Sequence, residues 1–147
     1  MPLFKALHYS TSSKIDLSGV FPPVVTPFNA DQSIAWPKLE ANIEKLNTEP
    51  LAGYLVHGSN GEFIYLSPEE KLDVVKAMRE SCGPDKLLLA GSGCESTLET
   101  LRSLSSSSLS CHIIIIIIRM TEAMAKAGCD AAVVITPCYY KGVVTNV

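Results

Sequence analysis

Gly58-Ser59-Asn60-Gly61-Glu62 is the stretch of this 147-residue chain whose residue types and spacing best suit chemistry. It follows the apolar run Gly53-Tyr54-Leu55-Val56 directly, and a helix start lies close behind it at Ser67-Pro68-Glu69-Glu70. An apolar run that opens into small hydrogen-bonding residues reads as a strand ending in a loop. In α/β proteins ligands bind at the carboxyl ends of strands, where loops and helix N-termini aim N–H groups into a crevice. The Ser59 hydroxyl and the Asn60 carboxamide are then placed to hold an anion such as a carboxylate. The same residues also suit a tight strand-to-helix turn, with glycine supplying positive φ and Ser and Asn satisfying local backbone groups. Taken alone, the pentapeptide fits the turn better than the site.

Other reactive residue types have weaker contexts. His57 ends the same apolar run and reads as a rim histidine satisfied by backbone. Glu62 has the chemistry of a general base, but its place beside a turn favours a hydrogen-bonding role. Cys94 stands at another strand end without a histidine at recognisable spacing, which leaves a thiolate nucleophile unactivated. Gly91-Ser92-Gly93-Cys94-Glu95-Ser96 approaches G-x-G-x-x-G but ends in Ser, and no acid follows to hold a ribose, so dinucleotide binding is not expected. The 5 cysteines include no C-x-x-C pair, and only the adjacent Cys111-His112 pairs Cys with His. That pattern suggests reduced thiols in packing roles and no metal site.

These residues need elements to position them, and the chain alternates strand and helix signals. An extended segment is expected over Gly19–Thr26, with Pro22-Pro23 removing two ladder donors. A helix follows from Pro37 to Asn47, its stripe formed by Leu39, Ile43 and Leu46. The next strand is Gly53–His57. Ser67, Pro68 and Glu70 form a capping box that opens a second helix, with Leu72, Val75 and Met78 facing the sheet. A strand at Lys86–Ala90, a capping box at Ser96–Glu99 and a strand at Ala131–Ile135 continue the series. The strands are continuous apolar runs, which implies a parallel sheet covered on both faces. Such βα units fit a doubly wound sheet or part of a (β/α)8 barrel, and periodicity does not choose between them.

Composition sets the bounds. The length fits one domain, and 47% hydrophobic residues suffice for a core. Net charge is −3, with no basic cluster, so no nucleic-acid partner is expected. The longest apolar run, Ile113–Ile118, is far short of a membrane span. Residues 1–15 carry Lys5, His8 and Lys14, several Ser and Thr, and no acid. Leu3, Phe4 and Leu7 fall on one helical face, the pattern of a mitochondrial transit segment; a disordered tail is the alternative. Residues 101–118, LRSLSSSSLSCHIIIIII, interrupt the third helical unit with poor helix formers and read as an irregular low-complexity insertion.

Taken in order, the strand ends resemble one family. Thr26-Pro27-Phe28, Gly58-Ser59-Asn60-Gly61-Glu62, Ala90-Gly91-Ser92-Gly93 and Thr136-Pro137-Cys138-Tyr139-Tyr140 resemble the dihydrodipicolinate synthase/N-acetylneuraminate lyase family of Schiff-base aldolases. The runs GSNGEF, LLLAGSGCEST and VITPCYYKG are most similar to its 4-hydroxy-2-oxoglutarate aldolase branch, found in animal mitochondria. The likeness covers roughly residues 16 to 100 and 119 to 142. It implies the N-terminal part of a (β/α)8 TIM barrel over 16–147, about four βα units. It also implies class I cleavage of a small 2-oxo acid to pyruvate and glyoxylate without a cofactor, in a homo-oligomeric, tetrameric parent with no membrane partner.

By that resemblance Ser59 and Asn60 hold the substrate carboxylate, and Tyr139 crosses a subunit interface to relay protons. Tyr140 is the lesser candidate, and rim packing is the alternative for both. Thr26 and Gly58 shape the site. The family's Schiff-base lysine lies at the end of the sixth barrel strand and its main tyrosine at the end of the fifth, whereas this chain stops at Val147, after the fourth. Lys38, Lys45, Lys71, Lys76 and Lys126 fall on helices and read as solvated, Lys86 begins a strand, Lys5 and Lys14 lie in the tail, and Lys141 lies on a loop. The expectation is a chain without aldolase activity as it stands. The alternatives are a truncated isoform that associates with full-length subunits, or a relative with the synthase or sialate lyase activity.

Overall fold

A computed structural model describes residues 15–92 and 109–134, the latter by backbone alone over 109–116. Its ordered elements are α1 (Trp36–Asn47), β1 (Gly53–Val56), α2 (Pro68–Ser81), β2 (Leu87–Gly91), α3 (Leu109–Ala127) and β3 (Ala131–Val133). The three strands form one parallel sheet in the order β1-β2-β3, with Gly53 opposite Leu87 and Leu89 opposite Ala131. The spatial order follows the chain order without reversal. That is the winding of a barrel, whereas a doubly wound sheet reverses at a switch point.

Proline decides the fate of the leading segment. Leu55 N–H donates to Pro22 C=O (3.1 Å) and Val24 N–H donates to Leu55 C=O (2.8 Å), so residues 22 and 24 face β1. Pro22 has no N–H to add to that ladder, and Pro23 presents none to the opposite edge. The result is an isolated parallel bridge between Pro23 and Leu55 rather than the strand expected over Gly19–Thr26. The loss of normal pairing anticipated from Pro22-Pro23 is present.

The helices lie on one face of the sheet and bury their stripes there. Leu39 and Ile43 of α1, Val74, Val75 and Met78 of α2, and Met124 of α3 pack with Tyr54, Val56, Leu88 and Ala90. Leu72, expected on this stripe, is only partly buried. Tyr54 is fully buried with its hydroxyl satisfied: it donates to Asn47 Oδ1 at 2.7 Å, and Asn47 Nδ2 donates to Ser81 C=O at 2.9 Å. One phenol thus locks β1, α1 and the end of α2 together. On the far side Arg79 reaches Asp130 Oδ2 (3.1 Å) and Lys86 C=O (2.8 Å), and the same Asp130 oxygen accepts from Leu88 N–H. The other face of the sheet is less covered: Leu55 and Leu89 are half-buried and Val25 is 51% exposed. The continuous apolar runs had implied cover on both faces; among the described residues only the helix side is sealed.

The Ser/Ile-rich stretch differs from expectation as well. Residues 109–118 are not irregular; they continue into 119–127 as α3. A β-branched residue costs only a few tenths of a kcal/mol relative to Ala in a helix. Extending an existing helix needs no new nucleus. Met120, Met124 and Ala127 anchor the C-terminal half on the core, and the isoleucines extend what those contacts hold. Residues 101–108 and the capping box at Ser96–Glu99 lie outside the described residues.

The capping box at the start of α2 is present in full. Ser67 Oγ accepts from Glu70 N–H (3.2 Å), and Glu70 Oε2 accepts from Ser67 N–H (2.8 Å). Ser67→Ala removes one half of it and should cost about 1 kcal/mol, read as a lower urea midpoint at unchanged m-value.

Candidate functional site

The loops after the leading segment, β1 and β2 emerge at the carboxyl end of the sheet. After β1 the chain turns abruptly. His57 adopts left-handed φ (59°), Ser59–Gly61 makes one 3-10 turn, and Glu62 is again left-handed (φ 51°) before a second turn at Phe63–Tyr65. Gly61 N–H donates to Gly58 C=O (2.9 Å) and Glu62 N–H to Ser59 C=O (3.1 Å). Gly61 must be glycine: a Cβ there would sit 2.9 Å from Val24 C=O. Gly91 is tighter still, with the His57 carbonyl standing where its missing Cβ would be. The motif is therefore a turn, and the turn holds Ser59 and Asn60 on the exposed rim.

Thr26, at the neighbouring segment end, is 93% covered, and its Oγ1 lies 3.7 Å from the Gly61 Cβ position, so it shapes the floor of the turn. Ser92, buried after β2, accepts from Thr121 Oγ1 at 2.8 Å and ties α3 to the rim. Tyr139, Tyr140 and Lys141 lie outside the described residues, as does Cys94. Glu62 finds no partner among the described residues for the hydrogen-bonding role expected of its side chain. It is exposed, forms no ion pair with another described residue, and lines an open cleft of about 420 Å³ with Phe28, Asn29, Gln32 and Tyr65.

Two basic residues behave differently from expectation. His57 is 3% exposed, and neither ring nitrogen has a hydrogen-bond partner among the described residues. Burial, with the Lys71 charge as a second cause, pushes its pKa down to about 4 from the usual 6.5, so the imidazole is neutral near pH 7. Lys71 is not solvated. It is 7% exposed and its ammonium lies 5.6 Å from the Phe63 ring centroid. The signal was present in the sequence, since Lys71 shares the helical stripe of Val74, Val75 and Met78 at i, i+3, i+4 and i+7. Its long stem fits an apolar face while the ammonium finds a ring. The other described lysines do not approach the rim. Lys38, Lys45, Lys76 and Lys126 are exposed on helices, and Lys86 donates to Leu51 C=O (2.6 Å) at the opposite end of the sheet.

Among the described residues no group of three or more His, Cys, Asp or Glu gathers as a metal site. No helix of the described residues is long and apolar enough to cross a membrane.

Residues 16–111 match the dihydrodipicolinate synthetase family. The chain is similar to the 4-hydroxy-tetrahydrodipicolinate synthase of Haloarcula marismortui, 33% identical over 127 residues that cover 86% of this chain and 36% of that protein. The enzyme of the same name from Methanothrix thermoacetophila is 35% identical over 121 residues, 82% of this chain and 35% of the relative. Among solved structures, YagE, a prophage protein of the dihydrodipicolinic acid synthase family from E. coli K12 in complex with pyruvate, aligns with a TM-score of 0.67. It is 27% identical, over 85% of this chain and 36% of YagE. The chain spans about a third of the length of these relatives. Its βα units are part of a (β/α)8 barrel.

The buried imidazole makes stability depend on pH. The folded His57 pKa lies below the unfolded one, so the unfolded chain binds the proton first. The native state therefore loses up to about 3 kcal/mol as pH falls from 6.5 towards 4. Urea midpoints should drop over that window in the parent chain and drop less in His57→Gln, whatever the variant's stability at pH 7.

Proposed function

We propose, since this chain belongs to the dihydrodipicolinate synthetase family, that its rim turn is the carboxylate cradle of a 2-oxo-acid lyase of the class I aldolase type. The observation that carries this reading is the exposure of Ser59 and Asn60 on a turn pinned by Gly61 at the carboxyl end of the sheet. A neutral hydroxyl and a carboxamide beside turn N–H groups suit a carboxylate. The similarity to YagE, solved with pyruvate, supports a small 2-oxo acid as the ligand class.

The reaction we infer is cleavage of 4-hydroxy-2-oxoglutarate. A lysine amine adds to the C2 ketone and water leaves, forming a protonated imine. The C3–C4 bond breaks, its electron pair passes into the imine as an enamine, and the C4 hydroxyl gives up its proton to become the aldehyde of glyoxylate. Hydrolysis then releases pyruvate and the amine. The cradle's contribution is orientation, fixing the carboxylate so that C2 sits within reach of the amine. Tyr139 is proposed as the proton relay across a subunit interface. The runs GSNGEF and VITPCYYKG support this substrate, and the acid-poor N-terminal segment supports a mitochondrial address. The curated relatives favour a second reading, because both are named for synthesis of 4-hydroxy-tetrahydrodipicolinate.

Lys71 is buried with its ammonium near the Phe63 ring, and no other described lysine approaches the rim, so the reacting amine is proposed to come from a later barrel strand. Borohydride treatment of the 147-residue chain with pyruvate should leave its mass unchanged; a trapped adduct on any of its lysines contradicts this. A chain extended through the remaining barrel strands should release glyoxylate from 4-hydroxy-2-oxoglutarate. Ser59→Ala in that protein should raise KM about tenfold, the loss expected for one hydrogen bond to a charged group. Production of 4-hydroxy-tetrahydrodipicolinate instead would establish the second reading.

A further inference from the structure

We propose that the cleft between the Phe28–Gln32 loop and the turn at Glu62–Tyr65 binds a small organic cation, an alkylguanidinium or alkylammonium group. The cleft holds about 420 Å³, within the range of small-molecule sites. Its walls are one carboxylate (Glu62), two aromatic rings (Phe28 and Tyr65) and two carboxamides (Asn29 and Gln32), with no cationic side chain among them. That inventory decides the ligand class. An anion would meet the Glu62 carboxylate. A metal ion would find a single acidic ligand, and no cluster of three or more His, Cys, Asp or Glu exists among the described residues. A carboxylate with ring faces is how proteins hold guanidinium and ammonium groups.

The polar groups are uncommitted where this ligand needs them. Glu62 is exposed and has no ion pair with another described residue. Tyr65 is 76% exposed, an unusual degree for a ring of its size. Asn29 spends its amide nitrogen on Ser33 Oγ (3.0 Å) and Ile34 C=O (3.5 Å), which leaves its oxygen as an acceptor. Two of the three non-glycine residues with positive φ among those described, Gln32 (72°) and Glu62 (51°), line this same cleft. Each is fixed by its own turn, Gln32 N–H to Asn29 C=O (3.0 Å) and Glu62 N–H to Ser59 C=O (3.1 Å). Glu62 closes the motif that Ser59 and Asn60 open, so the rim presents an anion cradle and a cation cleft side by side. The cleft's chemistry does not depend on the lyase reading.

The test is an NMR titration of the 15N-labelled 147-residue chain with N-methylguanidinium and, separately, n-propylammonium. Saturable shifts are expected at Gln32, Glu62 and Tyr65, with Kd on the order of 10 mM for one exposed ion pair and a ring contact. Glu62→Gln should weaken binding about fivefold, and Tyr65→Ala should weaken guanidinium more than ammonium. Glu80→Gln, on the exposed face of α2, should leave it unchanged. Shifts that do not saturate, equal losses in Glu62→Gln and Glu80→Gln, or the same residues responding to acetate would each overturn the proposal.

Discussion

Backbone packs directly on backbone at the carboxyl rim of this sheet, and the site depends on that contact. The carbonyl of His57 occupies the space that a side chain at Gly91 would need, and the carbonyl of Val24 does the same at Gly61. Parallel strands normally keep such loops apart with side chains. Removing the side chain at two points lets the turn after β1 lie against the ends of its neighbours on both sides. The turn then has little freedom to choose where Ser59 and Asn60 stand. A ligand contact made by a pinned turn loses less ordering entropy than one made by a free loop.

The layer beneath the turn carries a cost that the surrounding packing must offset. His57 is left-handed and buried, its ring nitrogens have no hydrogen-bond partner among the described residues, and a buried ammonium lies close enough to depress its pKa. Each unsatisfied buried polar group costs about 1–3 kcal/mol. Strain of this kind persists where the framework over-determines the backbone. Here the framework is the apolar seam of α2 against β1 and β2, the Tyr54–Asn47–Ser81 relay and the capping box that fixes where α2 begins.

Much of this was legible in residue order. The apolar stripe of α1 and the capping box of α2 set those helices to within a residue, because caps and stripes are local signals. Pro22-Pro23 announced the broken pairing of the leading segment, since a missing N–H is a property of the residue itself. The exposed placement of Ser59 and Asn60 followed from a strand end opening into small polar residues. What escaped were consequences of tertiary packing. Lys71 carries a charge, and charge argued for solvent, although its position lay on the buried stripe. His57 was expected to find a backbone partner, which composition cannot test. The isoleucine run argued against helix, and a neighbouring helix overrode a small propensity. The cleft around Glu62 joins residues some thirty positions apart, and no local pattern encodes it.

The family likeness and the rim geometry both support the proposal that this turn receives a carboxylate. An NMR titration of the chain with pyruvate tests it directly, because it reads each backbone amide. The account predicts the largest shifts at Ser59, Asn60 and Gly61, with the N-terminal end of β2 silent. Shifts that leave residues 58–62 unmoved while pyruvate binds elsewhere would contradict it.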